Sequence, residues 1–214
     1  MFLDLHTHSV SSDDSKATAE QYAKWVSILR RKGYIMDGFV LTEHRKFDLD
    51  MNYMKIAKES DVIILRGSEL DTNYGHFLVY GVTYELTRLI DFSNVGLDAV
   101  DLMRVSSACG AIAIPAHPGR FGIGLCEYIE NGADFSGVKI VEHLNGSNRP
   151  GEQERAENLI KEYGYRAVGG SDSHIVSSLG ICMTEFDTPV YSETDLVREL
   201  RNGKFRAVKL SDTL

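Results

Sequence analysis

Short apolar runs alternate with longer amphipathic segments along most of the chain, and this alternation limits the fold more than any other feature of the sequence. Runs of strand length occur at 2–6, 36–41, 62–66, 77–81, 111–114, 138–142 and 166–169. Helical patterns occur at about 16–32, 50–59, 95–108, 152–163 and 192–202. Strands that alternate with helices predict an α/β fold whose mostly parallel sheet is open or closed into a barrel.

Length and composition are those of an ordinary globular domain. The chain has 214 residues, 43% of them hydrophobic and 25% charged, which is enough to bury a core and excludes a disordered chain. No repeat or linker divides the sequence, so we expect one domain over residues 1–214. The glycine-rich segment 119–135 is predicted to be a loop with a short helix over the functional site.

Charge and hydropathy set expectations for partners and location. The net charge of −8 argues against a strong non-specific grip on nucleic acid or on anionic membranes, so we expect neither as a partner. The longest apolar runs are far shorter than a membrane span, and the N-terminus lacks the pattern of a signal peptide. These features favour a cytoplasmic protein, while its oligomeric state is not readable from the sequence.

Histidines and carboxylates gather where the apolar runs end. Six of the seven histidines lie at such positions, most of them beside an acidic residue. The carboxyl ends of parallel strands meet on one face of a barrel or open sheet, and active sites form there. Imidazoles and carboxylates collected at one such face are typical ligands of a metal centre.

The two ends of the chain carry similar ligand pairs. His6 and His8 lie on the same side of an extended strand because side chains alternate with a period of two, and the polar loop after them supplies Asp13 or Asp14. Asp172 and His174 repeat this spacing, after two glycines that allow close backbone approach. An Asx-turn is the alternative interpretation of the second pair.

Further candidate ligands follow the middle strands. Glu69 follows the third apolar run, and a carboxylate at this position is able to bridge two cations. His117 is fixed between two prolines, whereas His44 and His76 are single histidines of the kind that more often has a structural role. Agreement among several independent strand ends makes the metal interpretation the stronger one.

Taken together, these motifs resemble the PHP family, named for bacterial DNA polymerases and histidinol phosphatase. The matching segments, in family order, are Asp4-Leu5-His6-Thr7-His8 with Ser12-Asp13, Thr42-Glu43-His44, Gly67-Ser68-Glu69, His76, Ala116-His117-Pro118 and Gly170-Ser171-Asp172-Ser173-His174. The resemblance implies a distorted, TIM-like (β/α)7 barrel of the PHP type. It also implies three divalent ions, commonly zinc, iron or manganese.

The resemblance also implies how the ligands divide among the ions. The first ion would be held by His6, His8, Glu69 and Asp172. Glu69 would bridge to a second ion, completed by His76 and His117. The third would be held by Asp13, His44 and His174.

Such a site predicts a hydrolase that cleaves a small phosphorylated substrate with a metal-activated hydroxide. Arg120, Asp172 and His174 are the expected catalytic residues, and Arg120, Arg149 and His143 are the candidates for binding substrate. A structural role for His143 stays open, and its neighbour Glu142 is a candidate for orienting a ligand imidazole. The alternatives are a metal-dependent amidohydrolase or exonuclease, and a non-catalytic module stabilised by metal.

Overall fold

The computed structural model describes residues 1–133, 135 and 137–214. The strands found in these ranges are β1 (Phe2–Thr7), β2 (Gly38–His44), β3 (Ile63–Thr72), β4 (Gly75–Tyr80), β5 (Ile112–Pro115), β6 (Ile140–Asn145), β7 (Arg166–Gly170), β8 (Cys182–Phe186) and β9 (Phe205–Lys209). The α-helices are α1 (Ala19–Arg31), α2 (Met54–Ser60), α3 (Tyr84–Leu89), α4 (Ala99–Ala108), α5 (Leu125–Glu130), α6 (Glu152–Tyr163) and α7 (Glu193–Asn202). β8, β9 and α3 were not anticipated from the sequence.

The main sheet has the order β5-β4-β3-β2-β1-β8-β9, and β6 pairs with β7 separately. Only the pairs β1–β2, β2–β3 and β6–β7 are parallel, so the expectation of a mostly parallel sheet is wrong. The reason lies in the turn between Thr72 and Gly75, whose two intervening residues join β3 to β4 as a hairpin and leave no room for a crossover helix.

The small β6–β7 sheet lies between β5 and β1 and curls the strands into a barrel. At the β1 side the Asp172 amide donates to the His6 carbonyl at 2.7 Å, and the His8 amide donates to the Ser173 carbonyl at 2.9 Å. Strands β1 to β7 therefore form a distorted α/β barrel of the PHP type, which confirms the fold class, and β8 and β9 continue the main sheet past β1 and contact β7.

The barrel interior is packed with apolar side chains. Leu5, Val40, Leu78, Ile114 and Val168 come from five different strands, and each is at most 2% exposed. A filled interior leaves one rim as the place where polar side chains converge.

Two β-bulges lie at that rim. The register of β1 against β2 shifts between Asp4 and Thr7, and that of β6 against β7 shifts between Glu142 and Leu144. A bulge adds a residue to one strand and changes the direction of the side chains that follow it. Both irregularities therefore set which residues face the site.

Within the described ranges, no helix combines the length and apolar character needed to cross a membrane.

Candidate metal centre

Four side chains from three strand ends converge on one buried point. His6 Nε2 lies 3.4 Å from Glu69 Oε2 and 3.5 Å from Asp172 Oδ1. His8 Nε2 lies 3.4 Å from each of the same two oxygens. All four residues are at most 4% exposed.

These spacings fit a metal ion. Tetrahedral ligands at about 2.1 Å from an ion are separated from one another by about 3.4 Å. In addition, His6 Nε2 and His8 Nε2 are buried and have no hydrogen-bond partner. Unpartnered buried polar atoms are costly, and a cation placed between the imidazoles and the carboxylates would satisfy all four.

A second group forms around the other oxygen of Glu69. His117 Nε2 lies 2.9 Å and His76 Nδ1 3.0 Å from Glu69 Oε1. Because Oε2 faces His6 and His8, the two oxygens of Glu69 face different histidine groups. This arrangement suits a bridging carboxylate.

A third group lies nearer to solvent. The Nε2 atoms of His44 and His174 are 3.4 Å apart, and Asp14 Oδ2 lies 3.3 Å and 3.2 Å from them. The His8 ring contacts both imidazoles, with ring centroids 4.1 Å from His44 and 4.3 Å from His174.

Asp14, and not the expected Asp13, faces this third group. The Asp13 carboxylate is 79% exposed and lies 3.7 Å from the Arg45 guanidinium. The next hydroxyl along the chain, Ser15 Oγ, donates to the carbonyls of His8 and His174 and ties the loop down beside them. Asp14, which is 53% exposed, faces the two histidines from this loop, whereas Asp13 faces Arg45.

Electrostatics favour cation binding at the centre. Burial lowers the pKa of His8 to about 4, so its imidazole is uncharged at neutral pH and able to bind a cation. Burial opposes ionisation of Glu69 and Asp172, but the neighbouring imidazoles outweigh it and hold both pKa values well below their usual range. The site thus presents two carboxylates in their charged form.

Two of these residues are held in strained backbone conformations. His117 has φ 28° and Asp172 has φ 53°, which lie outside the regions that non-glycine residues prefer. The Glu142 carboxylate accepts from the His117 amide at 2.7 Å, and the His6 carbonyl accepts from the Asp172 amide at 2.7 Å. Strain of this kind concentrates at functional sites, where surrounding bonds maintain it.

Glu142 supports the centre from behind. Its Oε1 lies 3.0 Å from His6 Nδ1, and its Oε2 also accepts from the Asn145 amide group at 2.9 Å. A carboxylate that accepts from the distal nitrogen of a ligand imidazole fixes its tautomer and its orientation. Asn145 was missed by sequence reasoning, and its only signal was its place at the end of the sixth apolar run.

His143 does not reach the site, contrary to its choice as a substrate-binding candidate. The bulge after Glu142 breaks the alternation on which that choice depended, and Glu142 takes the inward position. His143 is instead partly buried near Glu157, Lys161 and Lys209, and this burial lowers its pKa.

The two arginine candidates line a cavity of about 400 Å³ beside the centre. Arg120 donates to Asp172 Oδ2 at 2.7 Å and to Asn145 Oδ1 at 3.1 Å. Arg149 lines the same cavity, together with Asp172 and His174. Arg45 pairs with Asp13 and Asp71 on the other side of the rim.

Comparison with known proteins agrees with the fold and the motifs. Residues 150–205 match the family model described as PHP-associated. A Bifidobacterium adolescentis protein assigned as a metal-dependent phosphoesterase shares the fold. Its TM-score is 0.57 at 14% identity, over 94% of this chain and 96% of that one. These comparisons support the resemblance of the chain to the PHP family.

Two further solved structures resemble this chain. The lesion-specific endonuclease PfuEndoQ from Pyrococcus furiosus has a TM-score of 0.69 at 13% identity, over 97% of this chain and 58% of that one. An amidohydrolase from Chromobacterium violaceum, with bound sulfate and no metal, has a TM-score of 0.61 at 17% identity, over 98% of both chains. No curated protein matches the sequence.

The endonuclease corrects one expectation. Net charge had argued against nucleic acid as a partner, yet a protein with this fold acts on nucleic acid. Net charge sums over the whole surface, whereas a substrate meets only the local field of the site. The overall charge of this protein therefore does not exclude such a substrate, and its structural neighbours include an endonuclease, a phosphoesterase and an amidohydrolase.

Proposed function

We propose that residues 1–214 form one catalytic domain, a metal-dependent phosphoesterase that hydrolyses a small phosphorylated substrate. The observation that carries the proposal is the convergence of His6, His8, Glu69 and Asp172 with two buried imidazole nitrogens left unpartnered. A single closed structural ion would leave the second and third histidine groups unexplained, so a multi-ion catalytic site is the better account.

The proposed ligand sets follow from the distances. The first ion is assigned to His6, His8, Glu69 and Asp172, the second to Glu69, His76 and His117, and the third to Asp14, His44 and His174. Imidazole and carboxylate ligands suit zinc, iron and manganese. When bound, such ions acidify a water molecule and neutralise charge on a phosphoryl group.

Arg120 is the proposed phosphate-binding residue. One terminal nitrogen of its guanidinium is held by Asp172 Oδ2 and Asn145 Oδ1, which orients the group beside the ligand carboxylate. Arg120 also lines the cavity, where its other N–H groups would donate to phosphate oxygens. Asp172 thereby connects the substrate-binding arginine to the metal ligands, because its other oxygen faces His6 and His8.

Arg149 is proposed to add a second positive charge at the mouth of the cavity. His174 is assigned a catalytic position because it lines the cavity and also belongs to the third histidine group. Burial of the inner ligands keeps bulk water away from the carboxylates and strengthens their charge interactions with the substrate site.

The proposal is tested by metal content and turnover on p-nitrophenyl phosphate, measured with and without a chelator. Elemental analysis of the loaded protein should find more than one transition-metal ion per chain. His6→Ala and Asp172→Asn should each reduce turnover at least 100-fold. His143→Ala, a matched change outside the site, should retain it.

A lesion-bearing DNA oligonucleotide and an N-acyl amide complete the substrate panel, because structural neighbours carry those activities. Cleavage of either without phosphatase activity would replace the proposed reaction. Loss of activity in His143→Ala equal to that in His6→Ala would refute the assignment of the site.

A further inference from the structure

An exposed aromatic ring stands inside the candidate cavity. Phe121 is 58% exposed and lines the same cavity as Arg120, Asp172 and His174. An exposed phenylalanine is costly to hydrate, and at a site mouth it marks a surface that binds apolar groups. None of the steps assigned to the metal centre uses it.

An anchored guanidinium packs against the ring. The Arg155 guanidinium carbon lies 5.2 Å from its centroid, and Arg155 is itself held by Glu127 and by Glu130, whose Oε1 accepts from Arg155 Nε at 2.8 Å. An anchored guanidinium stacked on an aromatic face limits how far the ring can turn. The ring is therefore supported by Arg155, while it lines the cavity and is 58% exposed.

One buried carboxylate joins the backbones of Phe121 and Arg149. Glu152, which is 1% exposed, accepts from the Phe121 amide at 3.1 Å and from the Arg149 amide at 2.7 Å. The two loops that carry Phe121 and Arg149 are thus joined to the first turn of α6. This connection holds the backbones of Phe121 and Arg149 in place beside the same cavity.

We propose that Phe121 is a stacking platform that selects phosphoesters whose alcohol carries a planar ring. The inference rests on the phosphoesterase function proposed above. The phosphate would lie toward Arg120 and the metal ligands, and the planar ring of the substrate would stack on Phe121. A cavity of about 400 Å³ is of the size that holds a small molecule of this kind.

The test uses a pair of esters with the same leaving oxygen and similar bulk: 2-phenylethyl phosphate and 2-cyclohexylethyl phosphate. The metal-loaded protein should prefer the planar ring by about tenfold in kcat/KM, because aromatic pairs gain attraction beyond their buried area. Phe121→Leu should abolish the preference mainly through KM, and Phe121→Tyr should retain it. Tyr84→Leu, which changes an exposed ring on α3, should leave it intact.

Binding of non-hydrolysable analogues separates this inference from the proposed function. In calorimetry, 3-phenylpropylphosphonate should bind more tightly than 3-cyclohexylpropylphosphonate. Phe121→Leu should remove this difference in affinity. If the phosphonates show the preference but no ester is hydrolysed, the phosphoesterase assignment fails and the platform stands. If both esters are hydrolysed equally, or Phe121→Leu keeps the preference, the platform is wrong and the phosphoesterase assignment stands.

Discussion

At the scale of single residues, the function of the centre depends on which atom of each side chain faces inward. Glu69 directs one oxygen to His6 and His8 and the other to His76 and His117. Neither the type of a residue nor its distance along the sequence from other ligands determines which oxygen faces which histidine. Two residue-scale predictions follow from the loop after β1 and from the carboxylate behind His6.

Asp14→Asn should weaken the third histidine group, whereas Asp13→Asn should not. The Asp14 carboxylate lies within 3.3 Å of both His44 and His174, while Asp13 is exposed to solvent. We expect the Asp14 variant to bind one ion fewer per chain, or to bind that ion at least tenfold more weakly. Elemental analysis after dialysis measures the difference, and equal metal content in the two variants would contradict the assignment.

Glu142→Gln should weaken metal binding by about 10- to 100-fold. Glu142 accepts at one oxygen from the His117 amide and faces His6 Nδ1 with the other, and a glutamine would place a donor at one of these two positions. Competition with a chromogenic chelator measures the affinity. The exposed Glu154→Gln on α6 is the control, and a similar loss there would show that the effect is not specific to the site.

At the scale of elements, a tight turn rather than a helix brings His76 to the rim. Strand β3 ends at Thr72 and β4 begins at Gly75, so the start of β4 lies beside the carboxyl end of β3. Gly75 has φ +92°, and a Cβ atom there would lie 2.1 Å from the Ile123 carbonyl oxygen. The hairpin is therefore packed directly against the loop that carries Phe121.

Gly75→Ala should lower the free energy of unfolding by about 3 kcal/mol, since it combines left-handed strain with a backbone clash. Gly164→Ala provides the comparison, because Gly164 also has a positive φ but has open space around it, and we expect a loss of about 1 kcal/mol. Urea denaturation measures both values. Equal losses in the two variants would mean that the hairpin does not depend on this close packing.

At the scale of the whole molecule, closure of the barrel buries an acid behind the site. Asp4 is fully buried and accepts from the Ser171 and Gly180 amides, both at 2.8 Å, so it connects β1 to segments far along the chain. Burial raises its pKa from 3.8 to about 7. An acid whose pKa is raised on folding stabilises the protein fully below its unfolded pKa, and this stabilisation is lost as the pH rises through the folded value.

The metal-free wild type should therefore lose stability relative to Asp4→Asn as the pH rises from about 4 to 7. Over this pH range the difference between the free energies of unfolding of the two proteins should change by about 4 kcal/mol, which corresponds to a pKa shift of this size. Asparagine cannot ionise, although it gives up one of the backbone hydrogen bonds at all pH values. Urea denaturation of both proteins in chelator measures the difference, and parallel pH profiles would rule out a raised pKa at Asp4.

Much of the site was predictable from the sequence because its ligands follow apolar runs. The ends of strands converge in any such barrel, so His6, His8, Glu69, His117 and Asp172 could be grouped before any coordinates were known. The two glycines at the end of β7 were expected to allow close backbone approach, and a Cβ atom at Gly170 would lie 2.4 Å from that of His6. Local pattern and chain order were sufficient for these features.

Only the tertiary structure decided which way individual side chains point. The bulge in β6 turns Glu142 inward and His143 outward, and Asp14 rather than Asp13 faces the histidines. The antiparallel β3–β4 hairpin and the pairing of β8 with β1 likewise depend on contacts between distant segments. The sequence alone determined the chemistry collected at the rim, because each ligand follows its own strand. The tertiary structure decided the direction in which each side chain points, because a one-residue shift in register reverses the face on which a side chain lies.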